Sequence, residues 1–343
     1  MEQMMEDELL NINHLKKYYL IHKRFGLSIA GTIKAVDDIS FTVNKGEVFG
    51  LVGESGCGKT TTANLIARAI NPTGGDILFR SDQGIVDLAK LNNKQLRQVR
   101  RDIQMIFQDP YSSLNPTMSV FNIIAEPLFC SGMKTNESKK RVTELMDMVG
   151  LNPAYMERYP HAFSGGQRQR IGIARAMALS PALILADEPV SSLDESVQAQ
   201  ILNLIMDLRK ELGITYIFIG HDLGVIRYVC DRIAVMYLGK IVELTSSEEL
   251  FSHPLHPYTK TLLSAVPDAN PHQIWMEDTV AIDINTHQQI QKGCAFAPRC
   301  PLADDYCRST APDLEDVSQE NGVVHRAACH KVVRRLNQPS SVQ

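Results

Sequence analysis

Gly53-Glu54-Ser55-Gly56-Cys57-Gly58-Lys59-Thr60 follows an apolar run from Glu47 to Val52 and opens a stretch of helical spacing from about Lys59 to Ile70. The eight residues match G-x-x-x-x-G-K-[ST] at every defined position, and a strand before and a helix after is the context that gives the pattern meaning. Glycines let backbone N–H groups converge on phosphate oxygens, and a helix start adds partial positive charge. Lys59 is therefore expected to reach the β- and γ-phosphates of a nucleotide, and Thr60 to offer its hydroxyl to Mg²⁺. The whole loop from Gly53 through Thr61 is assigned to nucleotide binding.

Around this loop the pattern alternates between strands and helices. Asp38 to Val43 has period two, Asn44-Lys45-Gly46 turns, and residues from about 120 to 160 carry helical spacing broken by Pro and Gly. A helix is expected from near Gln167 to a stop before Pro181. Buried-type strands follow at Leu183–Ala186 and Ile214–Ile219, with a helix from Val197 to Glu211 between them. Arg232 to Leu244 reads as a hairpin turning at Gly239-Lys240. Such alternation implies an α/β fold with a largely parallel sheet and helices on its faces. The spacing predicts one large domain over 8–251, with helices concentrated at about 110–163. A linker is expected over 252–292, punctuated by Pro254, Pro257 and Pro267, and then a cysteine-rich segment over 293–332. That last segment is too short for a core of its own, and units below about 40 residues usually need a metal or disulfides.

Composition narrows the function classes. The chain has 343 residues, 44% of them hydrophobic and 22% charged, within the range of soluble globular proteins. A net charge of −4 argues against non-specific nucleic-acid binding, which needs clustered positive charge. Met1 to Leu10 is acidic, without a basic-then-apolar leader. The most apolar long window, Ile171 to Val190, is broken by Arg175, Asp187 and Glu188, so no membrane span is expected. Work at a membrane would need other chains to hold this one there. Of seven cysteines, Cys294, Cys300, Cys307 and Cys329 crowd the last fifth of the sequence, a placement that suits metal ligands.

A second acidic element lies at Ala182-Leu-Ile-Leu-Ala-Asp187-Glu188, a strand ending in two carboxylates. Asp187 is placed to hold the Mg²⁺ shell, and Glu188 to polarise an attacking water as general base. Farther back, Phe163-Ser164-Gly165-Gly166-Gln167 sets two glycines at a helix start, a second anion-binding arrangement. One nucleotide has no use for two such loops of one chain unless two chains meet face to face.

With these motifs the sequence resembles the ABC transporter ATPase family over roughly Leu9 to Leu244. The resemblance implies an ABC-type nucleotide-binding domain with an antiparallel β subdomain and a helical subdomain, plus a small cysteine-rich C-terminal appendage. It also implies that Ser164, Gly165, Gly166 and Gln167 cap the γ-phosphate bound by a partner subunit. Tyr19 matches the aromatic residue that stacks on adenine, with Tyr18 beside it as the alternative. Gln108 matches a glutamine that touches Mg²⁺, Asp194 belongs to the loop crossing the dimer interface, and His221 matches a histidine that contacts the γ-phosphate. Phe163 and Ser192 depart from the commoner Leu and Ala, and both side chains are expected to face packing. Glu188, His221 and Lys59 are the catalytic candidates. Cys57 is read as a small spacer in the loop, with the alternative that its place at a helix start lowers its pKa and makes it reactive.

The tail is similar to that of oligopeptide and dipeptide importer ATPases, on His253-Pro-Leu-His-Pro257-Tyr-Thr, Leu262 to Pro267 and Gly293-Cys-Ala-Phe-Ala-Pro-Arg-Cys-Pro301. The long segment between Tyr19 and Lys34 favours the second of two ATPases in such importers. That implies a heterodimer with a homologous ATPase at the cytoplasmic face of the membrane, two membrane subunits and an extracellular peptide-binding protein. Relatives of this branch carry nickel or other small solutes; an exporter ATPase, disfavoured by the importer-like tail, and a soluble ABC ATPase acting on nucleic acid or ribosomes are the remaining alternatives. The latter usually shows two cassettes, a long coiled coil or basic patches, whereas this sequence has one cassette motif set, a short stretch between Gln108 and Ser164, and an acidic net charge. The spacing C-x5-C-x6-C-x21-C offers four thiolates. The resemblance suggests a [4Fe-4S] cluster, with Zn²⁺ accepting the same donors and free thiols as the plain alternative.

Overall fold

The computed structural model describes residues 4–22, 29–109, 111–264, 292–318 and 322–337. Two long strands come first, β1 (Glu8–His22) and β2 (Ile29–Asn44), paired antiparallel. The alternation from Asp38 to Val43 turns Ile39, Phe41 and Val43 inward. After the Lys45-Gly46 turn, β3 (Val48–Val52) is buried at every residue, and the glycine-rich loop carries the chain into α1 (Lys59–Ile66). This helix ends earlier than the spacing predicts. Arg68 takes a left-handed φ of 52°, and the N–H groups of Ala69 and Ile70 turn back to the Asn64 carbonyl. β4 (Gly74–Ser81) and β5 (Gly84–Asp87) complete a four-stranded antiparallel sheet in the order β2-β1-β4-β5.

Next come α2 (Asn93–Val99) and β6 (Ile103–Ile106), then the helical stretch α3 (Val120–Cys130) and α4 (Thr135–Met148). α5 (Gly165–Met177) starts two residues before Gln167, because the Ser164 hydroxyl and the Gln167 side chain form a reciprocal capping box. β7 (Leu183–Asp187), α6 (Glu195–Leu212), β8 (Thr215–Gly220) and α7 (Leu223–Val229) follow. The limits of α6 have local causes: Asp194 accepts the Val197 N–H at one end, and Gly213 at φ 66° stops the other. β9 (Arg232–Tyr237) and β10 (Lys240–Ser246) form the expected hairpin, turning through Leu238 and Gly239.

Beyond it lie α8 (Ser247–Ser252) and α9 (Pro257–Ser264), the latter inside the stretch where the prolines predicted a linker. The fully buried Tyr258 anchors this helix. Pro267 and most of the Asn/Gln-rich sequence lie outside the described residues. The cysteine-rich segment contains α10 (Asp305–Ser309), β11 (Glu315–Asp316), β12 (Arg326–Ala327) and α11 (His330–Asn337). It does not stand apart as an appendage. β12 pairs with β10 and β11 with β12, extending the main sheet to β11-β12-β10-β9-β3-β8-β7-β6.

In that sheet β9, β3, β8, β7 and β6 run parallel. Their near-continuous apolar runs are explained by burial on both faces. Phe49, Leu51, Leu183, Leu185, Ile217 and Ile219 enter the core shared with the antiparallel sheet and α1. Val48, Val52, Ile184, Ala186, Tyr216 and Phe218 enter the core shared with α3 to α6. Among the described residues no helix is long and apolar enough to cross a membrane.

Candidate functional site

Four neighbouring parallel strands, in the order β3-β8-β7-β6, deliver the candidate residues at their carboxyl ends. Gly53 follows Val52, which pairs with Gly220; His221 follows Gly220; Asp187 ends β7 opposite Ile219; Gln108 lies two residues past Ile106, the partner of Ala186. Parallel pairing thus brings four segments spread over more than a hundred residues to one rim, where α/β sheets bind their ligands.

The phosphate loop has the geometry that its glycines predict. Gly58 has φ 111°, and a Cβ there would stand 2.3 Å from the Ala35 carbonyl oxygen, so no other residue fits without moving backbone. No side chain caps α1, which leaves the N–H groups of its first turn available to an anion. Lys59 Nζ donates to the carbonyls of Gly53 (2.7 Å) and Glu54 (3.0 Å), holding its ammonium across the mouth of the loop. Thr60 Oγ1 lies 3.2 Å from Asp187 Oδ1, so the two oxygens expected to share Mg²⁺ are neighbours. Burial raises the Asp187 pKa, opposed by the Thr60 hydrogen bond.

Glu188 is the meeting point. Gln108 Nε2 donates to its Oε2 at 2.8 Å, and His221 Nδ1 lies 3.1 Å from its Oε1. Its backbone is left-handed at φ 46°, an uncommon state for a non-glycine residue, and its N–H donates to the Ile219 carbonyl at 2.9 Å. A carboxylate with one donor on each oxygen, beside a Thr–Asp pair and a lysine, can orient a water and take its proton.

Other candidates lie elsewhere. Tyr18 is committed: its hydroxyl donates to Asp37 Oδ1. Tyr19 presents an exposed ring, with Lys17 Nζ 4.9 Å from its centroid. Ser164, Gly165, Gly166 and Gln167 form the start of α5, where Gly166 lets Val197 of α6 approach to 2.4 Å of the place a Cβ would take. Among the described residues no hydrogen bond joins them to Gly53–Thr61. Asp194 accepts from Ser196 Oγ and the Val197 N–H, bonds that lower its pKa. Phe163 packs as expected, buried against Tyr155, whereas Ser192 is exposed, contrary to expectation: it lies in the turn before α6 and touches no core.

Cys57 follows the spacer reading and not the reactive alternative. Its pKa is raised, because burial of the thiol outweighs Lys59 nearby, its Nζ 3.8 Å from Sγ. The side chain is buried in the core shared by the two sheets.

Sequence reasoning missed two residues that touch the loop. Tyr258 on α9 accepts the Glu54 N–H at 2.9 Å, and Arg299 donates to both Glu54 carboxylate oxygens, each at 3.0 Å. Both stand inside motifs that the tail displays, His-Pro-Tyr and Cys-x5-Cys, but spacing says nothing of contacts across some 200 residues. Cys294, Cys300, Cys307 and Cys329 line one small cavity together with His256 and His330. Burial raises the pKa of the first three. Among the described residues no three His, Cys, Asp or Glu side chains are arranged to hold a single metal ion.

Residues 36–191 match the model of the ABC transporter family, and residues 242–307 match the oligopeptide/dipeptide transporter C-terminal region. The oligopeptide transport ATP-binding protein AppF of Bacillus subtilis is 45% identical over 329 residues, covering 95% of this chain and 98% of that protein. The chain belongs to the ABC transporter ATP-binding family. A second relative, OppF of the same organism, an oligopeptide transport ATP-binding protein, is 52% identical over 269 residues, 78% of this chain and 85% of that one. Among solved structures, the dimeric ATP-binding cassette MJ0796 in a post-hydrolysis state with ADP and Pi superposes with a TM-score of 0.61 at 29% identity, over 70% of this chain and 99% of that one. The ABC transporter component cbiO1 of Clostridium perfringens reaches the same TM-score, 0.61, at 27% identity, over 72% and 92%. This ABC ATPase therefore shares its α/β fold with these cassettes, one of them bound to ADP and Pi.

Proposed function

We propose that this ABC ATPase is the ATP-hydrolysing subunit of a peptide importer, acting as one half of a pair of cassettes closed by ATP. The observation that carries the reading is the Glu188 carboxylate held between Gln108 and His221, beside Lys59 and the Thr60–Asp187 pair. Gly53 to Thr61 cradle the phosphates, and the Tyr19 ring stacks on adenine. Glu188 takes a proton from water as the water oxygen bonds the γ-phosphorus and the bond to the bridging oxygen breaks. His221 and Lys59 hold the γ-phosphate oxygens. Thr60, Gln108 and Asp187 would hold Mg²⁺, which neutralises charge on the β- and γ-oxygens.

Ser164, Gly165, Gly166 and Gln167 would face the nucleotide of the partner, with Asp194 at the interface. The C-terminal match and the relatives named for oligopeptide transport support peptide as cargo. In this reading the partners are a homologous second ATPase, two membrane permease subunits and an extracellular peptide-binding protein, with the chain peripheral on the cytoplasmic face. In this reading the ATPase domain spans 8–251 and the cysteine segment 293–332, the latter joined to the main sheet through β12.

For Cys294, Cys300, Cys307 and Cys329, which line one cavity together with His256 and His330, the reading is a [4Fe-4S] cluster held by the four thiolates, with zinc the alternative. Such a group would staple the C-terminal segment. About four irons and four sulfides per chain in anaerobically purified protein are expected; zinc alone would favour the alternative.

The function is tested by uptake of a labelled tripeptide in cells lacking the chain, complemented with wild type or Glu188→Gln. Restoration by wild type alone is expected. Restored nickel uptake with unchanged peptide uptake would transfer the proposal to a metal importer.

A further inference from the structure

Resting on the reading of this chain as an ATPase, we propose that Arg299 is a positioning residue for nucleotide binding: carried on the Cys294–Cys300 loop, it fixes Glu54 and through it the phosphate loop. Its guanidinium makes a two-pronged pair with Glu54, both bonds at 3.0 Å. Such a fork sets the plane of the carboxylate as well as its distance. The Glu54 main chain is held as well, its N–H on the Tyr258 hydroxyl at 2.9 Å and its carbonyl accepting from Lys59 Nζ at 3.0 Å. A shift of Glu54 therefore displaces the ammonium assigned to the phosphates.

Arg299 is itself built in. Its guanidinium lies 5.6 Å from the Phe296 ring centroid and 5.8 Å from that of Tyr237. Phe296 is buried against Tyr237 and Tyr258. Two tight turns fix the backbone, Ala297 N–H to the Cys294 carbonyl (3.0 Å) and Arg299 N–H to the Phe296 carbonyl (3.0 Å). Arg299 thus sits at the end of a rigid path from Cys294, one residue before Cys300. Among the described residues it bonds to none of Lys59, Thr60, Asp187 or Glu188, so its loss should weaken binding and spare the chemical step.

The test measures MgATP affinity by titration calorimetry, and steady-state ATPase kinetics, for the full chain as wild type, Arg299→Gln, Arg299→Lys, Glu54→Gln and the Arg299→Gln/Glu54→Gln double variant. Arg299→Gln should raise Kd about tenfold while kcat falls less than threefold; Arg299→Lys, with one point charge for a fork, should raise Kd about threefold. The double variant should bind no worse than the weaker single. Additive losses, or a Kd unchanged in Arg299→Gln, would overturn the proposal, as would a loss that merely follows a fall in melting temperature. Failure of the wild-type chain to bind MgATP would instead remove the ATPase reading, and this inference with it.

Discussion

Glu188 shows how much a single residue can carry that its sequence position does not announce. The two carboxylates at the end of an apolar strand are legible. The left-handed φ of 46° is not, and it costs on the order of 1–3 kcal/mol in a non-glycine residue. The Ile219 carbonyl on its N–H, with Gln108 and His221 on its two oxygens, over-determines that conformation. Glu188→Gln keeps the shape and removes the base, so ATP hydrolysis should fall by about 10²-fold or more with MgATP affinity within threefold of wild type. Single-turnover phosphate release checks it, and retained turnover would remove Glu188 from the role. Cys57 gives the opposite lesson, because helix-start electrostatics was legible and burial was not. With its pKa raised, less thiolate is present at neutral pH than for an ordinary cysteine, and reactivity should climb with pH later than usual. At pH 7.5 iodoacetamide should label Cys57 at least tenfold more slowly than the exposed Cys130, read by peptide mass spectrometry. Faster labelling of Cys57 would contradict the burial argument.

At the scale of elements, whatever depends on nearest neighbours was legible. Period-two alternation placed β2, the apolar runs placed β3, β7 and β8, and Gly239 placed the hairpin. Helix ends shifted by a few residues where a cap or a left-handed residue decided, as Ser164 does for α5 and Arg68 for α1. What escaped were elements too short for a period, above all the two-residue strands β11 and β12 that join the cysteine segment to β10. The bond that locks them is also non-local. Glu243 on β10 is fully buried and accepts from the N–H groups of Leu255 (2.8 Å) and His256 (2.9 Å) and from His325 Nε2 (2.8 Å). Removing the His325 donor leaves a buried carboxylate short of one partner, a loss of about 2–3 kcal/mol by the range for hydrogen bonds to charged groups. His325→Ala should therefore lower the unfolding free energy measured by urea titration by that amount, and His325→Gln, which keeps an N–H donor, by less. Equal losses in both variants would show that packing, not the hydrogen bond, holds the segment.

At the scale of the whole molecule, α1 and α5 are the two helix starts proposed here to serve nucleotide phosphates. Both were legible as motifs, and so was the inference that a second chain must complete the site. α1 follows β3 at the carboxyl edge of the parallel sheet, while α5 begins against α6, with Gly165 3.4 Å from Leu193 where a Cβ would stand. The two loops can thus be disabled independently. Gly165→Asp leaves Gly53–Thr61 untouched, has room for its Cβ against a flexible leucine, and places a carboxylate where α5 would otherwise attract the γ-phosphate held by the opposing cassette. Like charges in that gap oppose closure, while the chain's own phosphate loop sees no change. MgATP affinity of Gly165→Asp should stay within threefold of wild type, while ATP-dependent association with the partner cassette is lost and hydrolysis falls at least tenfold. Sedimentation velocity with and without MgATP reads the association, and calorimetry the affinity. If Gly165→Asp hydrolyses ATP as fast as wild type, α5 does not serve a nucleotide. If it loses ATP binding as well, the two helix starts are coupled within one chain, and the face-to-face arrangement is not needed to explain them.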